Sequence, residues 1–315
     1  MKPFLLALSG LLCAAIHEPC AAWWNKDWIN RNKVSIASTA AVADAPVLVR
    51  LHTGNFPFAD AKVDGSDVRF VAGDDNTPLK FHIEKWDGIN ELAFVWVRVP
   101  ALAAGAPTDL YIYSGNAKGV GAEDTKGTWD SSQVAAFHFE EAAPSPVDQT
   151  ANAIPVASFS AAKTNNALIG GGLSFDGRGG MTLAASPALA FGAGFSFSAW
   201  IKPAAAQAGA VLFRQQEGDR PIEIGMQGAR LYVRAGSANL SASADMPLGA
   251  WKHVAVTVSD RILLYVDGVE MGAAPASPGT SSGSAEIAAN FAGEMDELLL
   301  ANQPRAAPWI SFAAK

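Results

Sequence analysis

Along most of this chain, apolar and polar residues alternate in short runs broken by Gly, Asp, Asn or Pro, and that rhythm predicts β-strands rather than helices. In the first third, strands are expected at 33–37, 47–53, 68–72, 79–84, 91–99 and 110–114. Asp64-Gly65, Gly73-Asp74-Asp75-Asn76, Asp87-Gly88 and Ala104-Gly105-Ala106-Pro107 punctuate them. The stretch 92–99 is apolar on both faces, as a central strand covered on each side would be. Residues 116–127 then turn to Gly, Lys, Asp, Glu and Thr without apolar periodicity, which predicts a linker over 119–129.

Strand patterning resumes at 135–139, 172–175, 195–201, 210–214, 222–226, 230–234, 251–258, 262–266, 269–272 and 293–300. Within 195–201, Phe195, Phe197, Ala199 and Ile201 share one face while Ser196 and Ser198 take the other, the period-two mark of a half-buried strand. Asp267-Gly268 between two such runs is a hairpin signal. No stretch beyond the leader carries a helical period. The pattern therefore predicts an all-β chain of two β-sandwich modules, at 23–118 and 130–315.

The first 22 residues break the rhythm. Met1-Lys2 precedes an apolar run from Phe4 to Ile16 and a small-residue site at Cys20-Ala21-Ala22, which reads as an export leader ending before Trp23. That places the chain in the periplasm or outside the cell. Both cysteines, Cys13 and Cys20, fall inside the leader, so thiol chemistry is not expected beyond it. The chain from Trp23 onward is longer than one hydrophobic core usually organises, and half of all residues are hydrophobic, enough for two cores. The net charge is −7 without clusters of Lys and Arg, which argues against nucleic acid as a partner.

Four strings of the second module occur in the order found in laminin-G-like, concanavalin A-like lectin/glucanase domains. They are Phe195-Ser-Phe-Ser-Ala-Trp200-Ile-Lys-Pro203, Pro247-Leu-Gly-Ala-Trp251-Lys-His-Val-Ala-Val-Thr257, Leu264-Tyr-Val-Asp-Gly268 and Gly293-Glu-Met-Asp-Glu297. Leu173-Ser-Phe-Asp-Gly177 is similar to that family's entering strand and loop. The resemblance implies a jelly roll. The first module resembles domain-of-unknown-function family 2341 through Trp28-Ile-Asn-Arg31, Val47-Leu-Val-Arg-Leu51, Asp64-Gly-Ser-Asp-Val-Arg-Phe70, Ile83-Glu-Lys-Trp-Asp87, Phe94-Val-Trp-Val-Arg-Val-Pro100 and Tyr111-Ile-Tyr-Ser-Gly-Asn116. The tail Pro304-Arg-Ala-Ala-Pro-Trp309-Ile310 resembles the segment that closes the lectin-like module in this pairing. Some relatives with this pairing continue into an ExbB/TolQ-type proton channel. The resemblance thus implies either a glycan- or protein-binding module of the cell envelope or a soluble accessory of such a channel complex.

A third implication is glycoside hydrolysis, since relatives on this fold set Glu-x-Asp-x-Glu on one strand, with the carboxylates projecting on one face. Here Glu294-Met-Asp296-Glu297 is followed by Leu298 in the third position, and alternation sends Glu297 to the opposite face. A non-catalytic chain is therefore expected. The lectin-like resemblance also implies a calcium ion held by Asp176 and Asp296, with carbonyls and water completing six to eight oxygens. Calcium is the one cofactor expected, and the ligand-binding residues stay open. Trp200 and Trp251 are expected to pack in or beside the core, and Trp23, Trp24 and Trp28 against the first sandwich. His52, His82, His138 and His253 are scattered without metal-site spacing. Gly170-Gly171-Gly172 reads as turn punctuation.

Overall fold

The structure is a computed structural model that describes residues 23–141, 143–165, 167–192, 194–215, 221–276 and 283–315; the leader expected at 1–22 lies outside the described residues. The first sandwich comprises β1 (Asn30–Ile36), β2 (Val42–His52), β3 (Arg69–Ala72), β4 (Phe81–Asp87), β5 (Leu92–Leu102) and β6 (Thr108–Ser114). Two antiparallel three-stranded sheets, β1-β6-β3 and β2-β5-β4, enclose Val47, Val49, Leu51, Phe70, Val95, Val97, Leu110 and Ile112. The strand read as central, β5, lies in the middle of its sheet. At the start of the chain Trp28 is buried and donates Nε1–H to the Asp67 carbonyl, and Trp24 packs on Trp28 and Tyr113. Trp23 meets the edge of Tyr113 and is the most exposed of the three.

The second sandwich is built from β7 (Gln133–Phe137), β8 (Val156–Phe159), β9 (Ala162–Thr164), β10 (Gly172–Asp176), β11 (Met181–Leu183), β12 (Phe195–Pro203), β13 (Gln207–Gln215) and β14 (Ile222–Gly228). It continues with β15 (Arg230–Ala235), β16 (Ala238–Ser241), β17 (Lys252–Val258), β18 (Arg261–Val266), β19 (Val269–Pro275), β20 (Ala285–Ala289) and β21 (Ala292–Ala301). One sheet runs β19-β18-β17-β12-β21-β10-β9, with β7 also paired to β21; the other runs β16-β15-β14-β13-β20-β11-β8. This is the all-β, jelly-roll architecture the sequence pattern implied. Phe191, Phe195, Phe197 and Phe213 interlock between the sheets with no exposure, each burial contributing about 2–3 kcal/mol. Asp267 and Gly268 both take positive φ and close the β18–β19 hairpin with Val266 opposite Val269, as Asp-Gly turns require.

Two features depart from the sequence pattern. Residues 119–129, expected as a linker, lie packed on the first sandwich: Asp124 N–H donates to the Phe81 carbonyl and Trp129 is buried. The tail also forms a short helix, α1 (Ala307–Ala313), although its sequence shows no helical period. Seven residues are too few to show one. Trp309 and Ile310 of α1 join Ala136, Ala255, Tyr265 and Leu299 of the second sandwich in one buried cluster that is continuous with the core of the first. The two sandwiches therefore share an apolar seam.

Candidate functional site

Where the seam turns polar, strand alternation brings ionisable side chains face to face. In β4, Phe81 and Ile83 pack into the first sandwich's core, so His82 and Glu84 project toward the second sandwich; His82 lies opposite Trp96 of β5. At the end of β7, Phe137 and, two residues on, Phe139 both enter the second core, and His138 between them points out. In β21, Met295 and Leu298 both face the core, which leaves two residues between them instead of one. The register against β12 shifts at this point, and Glu297 has φ +51°: it is the extra residue of a β-bulge. The expectation that alternation carries Glu297 away from Asp296 is thereby overturned. The bulge resets the phase, and both carboxyl groups turn to the outer side of the sheet.

The result is a buried polar cluster. His138 Nδ1 lies 2.9 and 2.8 Å from the two Glu297 carboxyl oxygens, and His138 Nε2 lies 2.8 Å from His82 Nε2. Trp96 stacks on the His138 ring at 5.4 Å and donates Nε1–H to Glu84 Oε2 at 2.7 Å; that oxygen is 3.7 Å from His138 Nδ1. One ligand atom from each of Glu84, His138 and Glu297 falls within a 4.8 Å span. Burial pushes the Glu84 and Glu297 carboxyls well above the usual range, with Glu297 adding to the rise at Glu84. Burial likewise pulls His138 down and, with the neighbouring His138 ring, takes His82 down to about 2. Glu84 Oε1 and His82 Nδ1 are buried without a hydrogen-bond partner. A cleft of about 960 Å³ opens beside the cluster, lined by Lys62, Lys85, Trp86, Glu140 and Glu141, with Val63 and Ile89 exposed among its lining residues.

A second concavity, of about 570 Å³, lies on the outer face of β13–β16. Tyr232 lies across Gly225, where a Cβ atom would come within 2.5 Å of the phenol oxygen. Its hydroxyl donates to Glu223 Oε1 at 2.9 Å, and the Arg234 guanidinium sits 4.8 Å from the ring centroid. Arg234 also donates to Glu223 at 2.8 Å, and Arg214 pairs with Glu286 and Glu223. Burial and the Glu223 carboxylate push the Tyr232 phenol up to about 12. Gln227, Asn239 and Ser241 complete the groove.

The residues singled out in the sequence fare differently. Asp176 is opposite Ala292, four positions along β21 from Asp296, so the two are separated by roughly 13 Å of strand. Asp176 is exposed and accepts from Arg178 N–H, while Asp296 is buried and accepts from the Ile169 and Glu297 N–H groups. The structure does not bring them together, and they do not fit a shared calcium shell. Glu294 is half-buried and paired to Lys202 at 3.1 Å, and Leu298 is in the core, so Glu294, Asp296 and Leu298 form no carboxylate row. Trp200 and Trp251, expected in or beside the core, belong to no core cluster. Trp200 stands half-buried on the outer face against His253, and Trp251 is half-buried under the Lys202 ammonium. Sequence reasoning missed the convergence of His82, His138 and Glu297 because 56 and 159 residues separate the partners. Spacing along the chain carries no signal for such a meeting.

Comparison with known proteins agrees with this architecture. Residues 64–153 match the family model described as a domain of unknown function (DUF2341), a span that runs through the expected linker into the start of the second sandwich. Residues 175–311 match the model of the concanavalin A-like lectin/glucanases superfamily. No curated protein gives a significant match. Among solved structures, the binding domain of botulinum neurotoxin serotype D is similar at a TM-score of 0.50 and 10% identity, over 61% of this chain and 52% of that one. The binding domain of Paraclostridial Mosquitocidal Protein 1 gives 0.49 and 11%, over 58% and 52%. Domain 4 of AbnA, an extracellular arabinanase from Geobacillus stearothermophilus solved with arabinotriose, gives 0.48 and 20%, over 58% and 98%. The chain spans about half the length of the two toxin domains. At 10% identity the likeness to the serotype D binding domain is one of fold.

Proposed function

We propose that this chain is an exported, non-catalytic binding protein that holds a glycan in the groove on β13–β16, with the first sandwich as its rigid companion. The observation that carries the reading is Tyr232, set across Gly225 among Arg214, Glu223, Gln227, Arg234 and Asn239. With Gly225 against the ring and Arg234 over it, the phenol edge and the hydrogen-bonding side chains around it suit the polar hydroxyls at the edge of a pyranose. Glu223 is held by Tyr232, Arg234 and Arg214, which supports recognition over general acid chemistry at this carboxylate. Export rests on the leader pattern of residues 1–22 and on the confinement of both cysteines to it. A binding module of lectin-like fold fits this role.

The test is calorimetric titration of the purified chain with a panel of soluble cell-wall and plant polysaccharides, alongside Tyr232→Ala and Asn239→Ala variants. At least one glycan is expected to bind, and Tyr232→Ala to weaken it at least tenfold, about 1.4 kcal/mol. Tyr232→Ala binding as tightly as the parent, or no glycan binding at all, would overturn the proposal.

A further inference from the structure

The polar end of the seam is a site in its own right, independent of the glycan groove. We propose that Glu84, His138 and Glu297 bind one first-row divalent cation such as Zn²⁺, which ties the two sandwiches together at the inner end of the 960 Å³ cleft.

Four observations converge on it. The first is the donor set: an imidazole nitrogen and two carboxylates within a 4.8 Å span, one from β4 of the first sandwich and two from the second. Nitrogen plus carboxylate suits zinc and its neighbours, whereas calcium takes oxygen alone. The second is a buried oxygen without a partner on one of these residues, next to the Oε2 that lies 3.7 Å from His138 Nδ1. The Glu84 side chain is 1% exposed, and Trp96 fixes its Oε2 while Oε1 has no partner. A carboxylate with one oxygen steered by a donor and the other left free is the form that a metal ligand takes.

The third is charge. Glu84, Asp296 and Glu297 place three carboxyl groups below the surface, and among the described residues none of them pairs with a lysine or arginine. Removing several carboxylates from water without a cation is costly, and a divalent ion supplies the missing positive charge. The fourth is space. Gly170, at φ +62°, presses its backbone against this point, where a Cβ would come within 2.8 Å of Glu84 Oε1 and 2.9 Å of a Glu140 oxygen. Only a residue without a Cβ lets the backbone pass this close to the orphaned oxygen.

The histidines fit the same picture. With His138 Nδ1 given to a metal, its Nε2–H donates to His82 Nε2 at 2.8 Å, so His82 holds the ring and sets its tautomer. His82 is thus a positioning residue and the other three are the ligands. The cluster opens to the cleft, which leaves a fourth coordination position for water or an oxygen ligand.

The experiment uses the whole chain, treated with chelator, dialysed, and then titrated with Zn²⁺, Co²⁺ and Ca²⁺. Metal content by mass spectrometry is expected to reach about one zinc per chain, with a raised unfolding midpoint and visible cobalt absorption from a nitrogen- and oxygen-bound ion. Calcium is expected to do neither. Glu84→Gln and Glu297→Gln keep shape but remove charge, and both are expected to abolish zinc uptake. Trp96→Phe removes the donor that steers Glu84 together with part of the ring stacked on His138, and is expected to weaken zinc at least tenfold. Tyr232→Ala is expected to leave zinc binding unchanged, which separates this site from the glycan reading. Failure of the chelated parent to take up zinc, or uptake that both Gln variants retain, would sink the proposal.

Discussion

His253 shows how one buried side chain contributes to the acid sensitivity of this fold. It lies on β17 with its ring against Trp200, 3% exposed, and its Nδ1 has no hydrogen-bond partner. Burial pulls its pKa down to about 4, with Asp267 offsetting part of the fall. In the unfolded chain the same group takes a proton near pH 6.5. Between those values the unfolded state binds more protons than the folded one, so stability rises with pH across that window. The parent is therefore expected to be at full strength above about pH 6.5 and to lose on the order of 2–3 kcal/mol from this group as pH falls toward 4. Urea unfolding of the parent and of His253→Phe at pH 7 and pH 4.5 checks this. The variant should lose distinctly less stability between the two pH values, and equal losses would refute the assignment.

At the scale of elements, the tail decides how the sandwiches are joined. Ser196 Oγ accepts from Arg305 N–H, and the Arg305 guanidinium reaches Asp130 at 2.7 Å and Gln133 at 2.9 Å, with both charged side chains under 10% exposed. Arg305 also stacks on Trp309 at 4.7 Å, which seats α1 in the shared seam. Trp309→Ala removes a buried indole from that seam and is expected to destabilise the whole chain by about 3–5 kcal/mol, read from chemical denaturation. A loss below about 1 kcal/mol would mean that the helix merely rests on the surface. The sequence showed the tail's resemblance to a closing segment but not its helix, because packing of Trp309 and Ile310 stabilises a turn that local propensity alone would not. The bulge at Glu297 was hidden for the same kind of reason. Alternation is a local rule, and the switch of β21 from its pairing with β10 to its pairing with β7 is what interrupts it.

For the whole molecule, a seam that continues one sandwich's core into the other's surface predicts joint unfolding. Differential scanning calorimetry is expected to give a single transition with calorimetric and van't Hoff enthalpies in agreement. Two resolved transitions would show that the sandwiches are independent beads. The zinc proposal adds that the ion, once bound, raises this one transition instead of splitting off half of the molecule.

What the sequence determined by itself was the material of the fold. Period-two runs such as Phe195 to Ile201 fixed which side chains face inward, and Asp267-Gly268 fixed a hairpin, since both depend on neighbours a few residues away. That is enough to specify two β-sandwiches and to align one of them with a lectin-like jelly roll. Which sites those sandwiches make was decided elsewhere. Asp176 and Asp296 looked like partners, yet register holds them four positions apart. His82, Glu84, His138 and Glu297 looked unrelated, yet two sheets and a bulge press them together. Such a meeting is set by how one sandwich docks on the other, a long-range property of packed surfaces that no local spacing along the chain encodes.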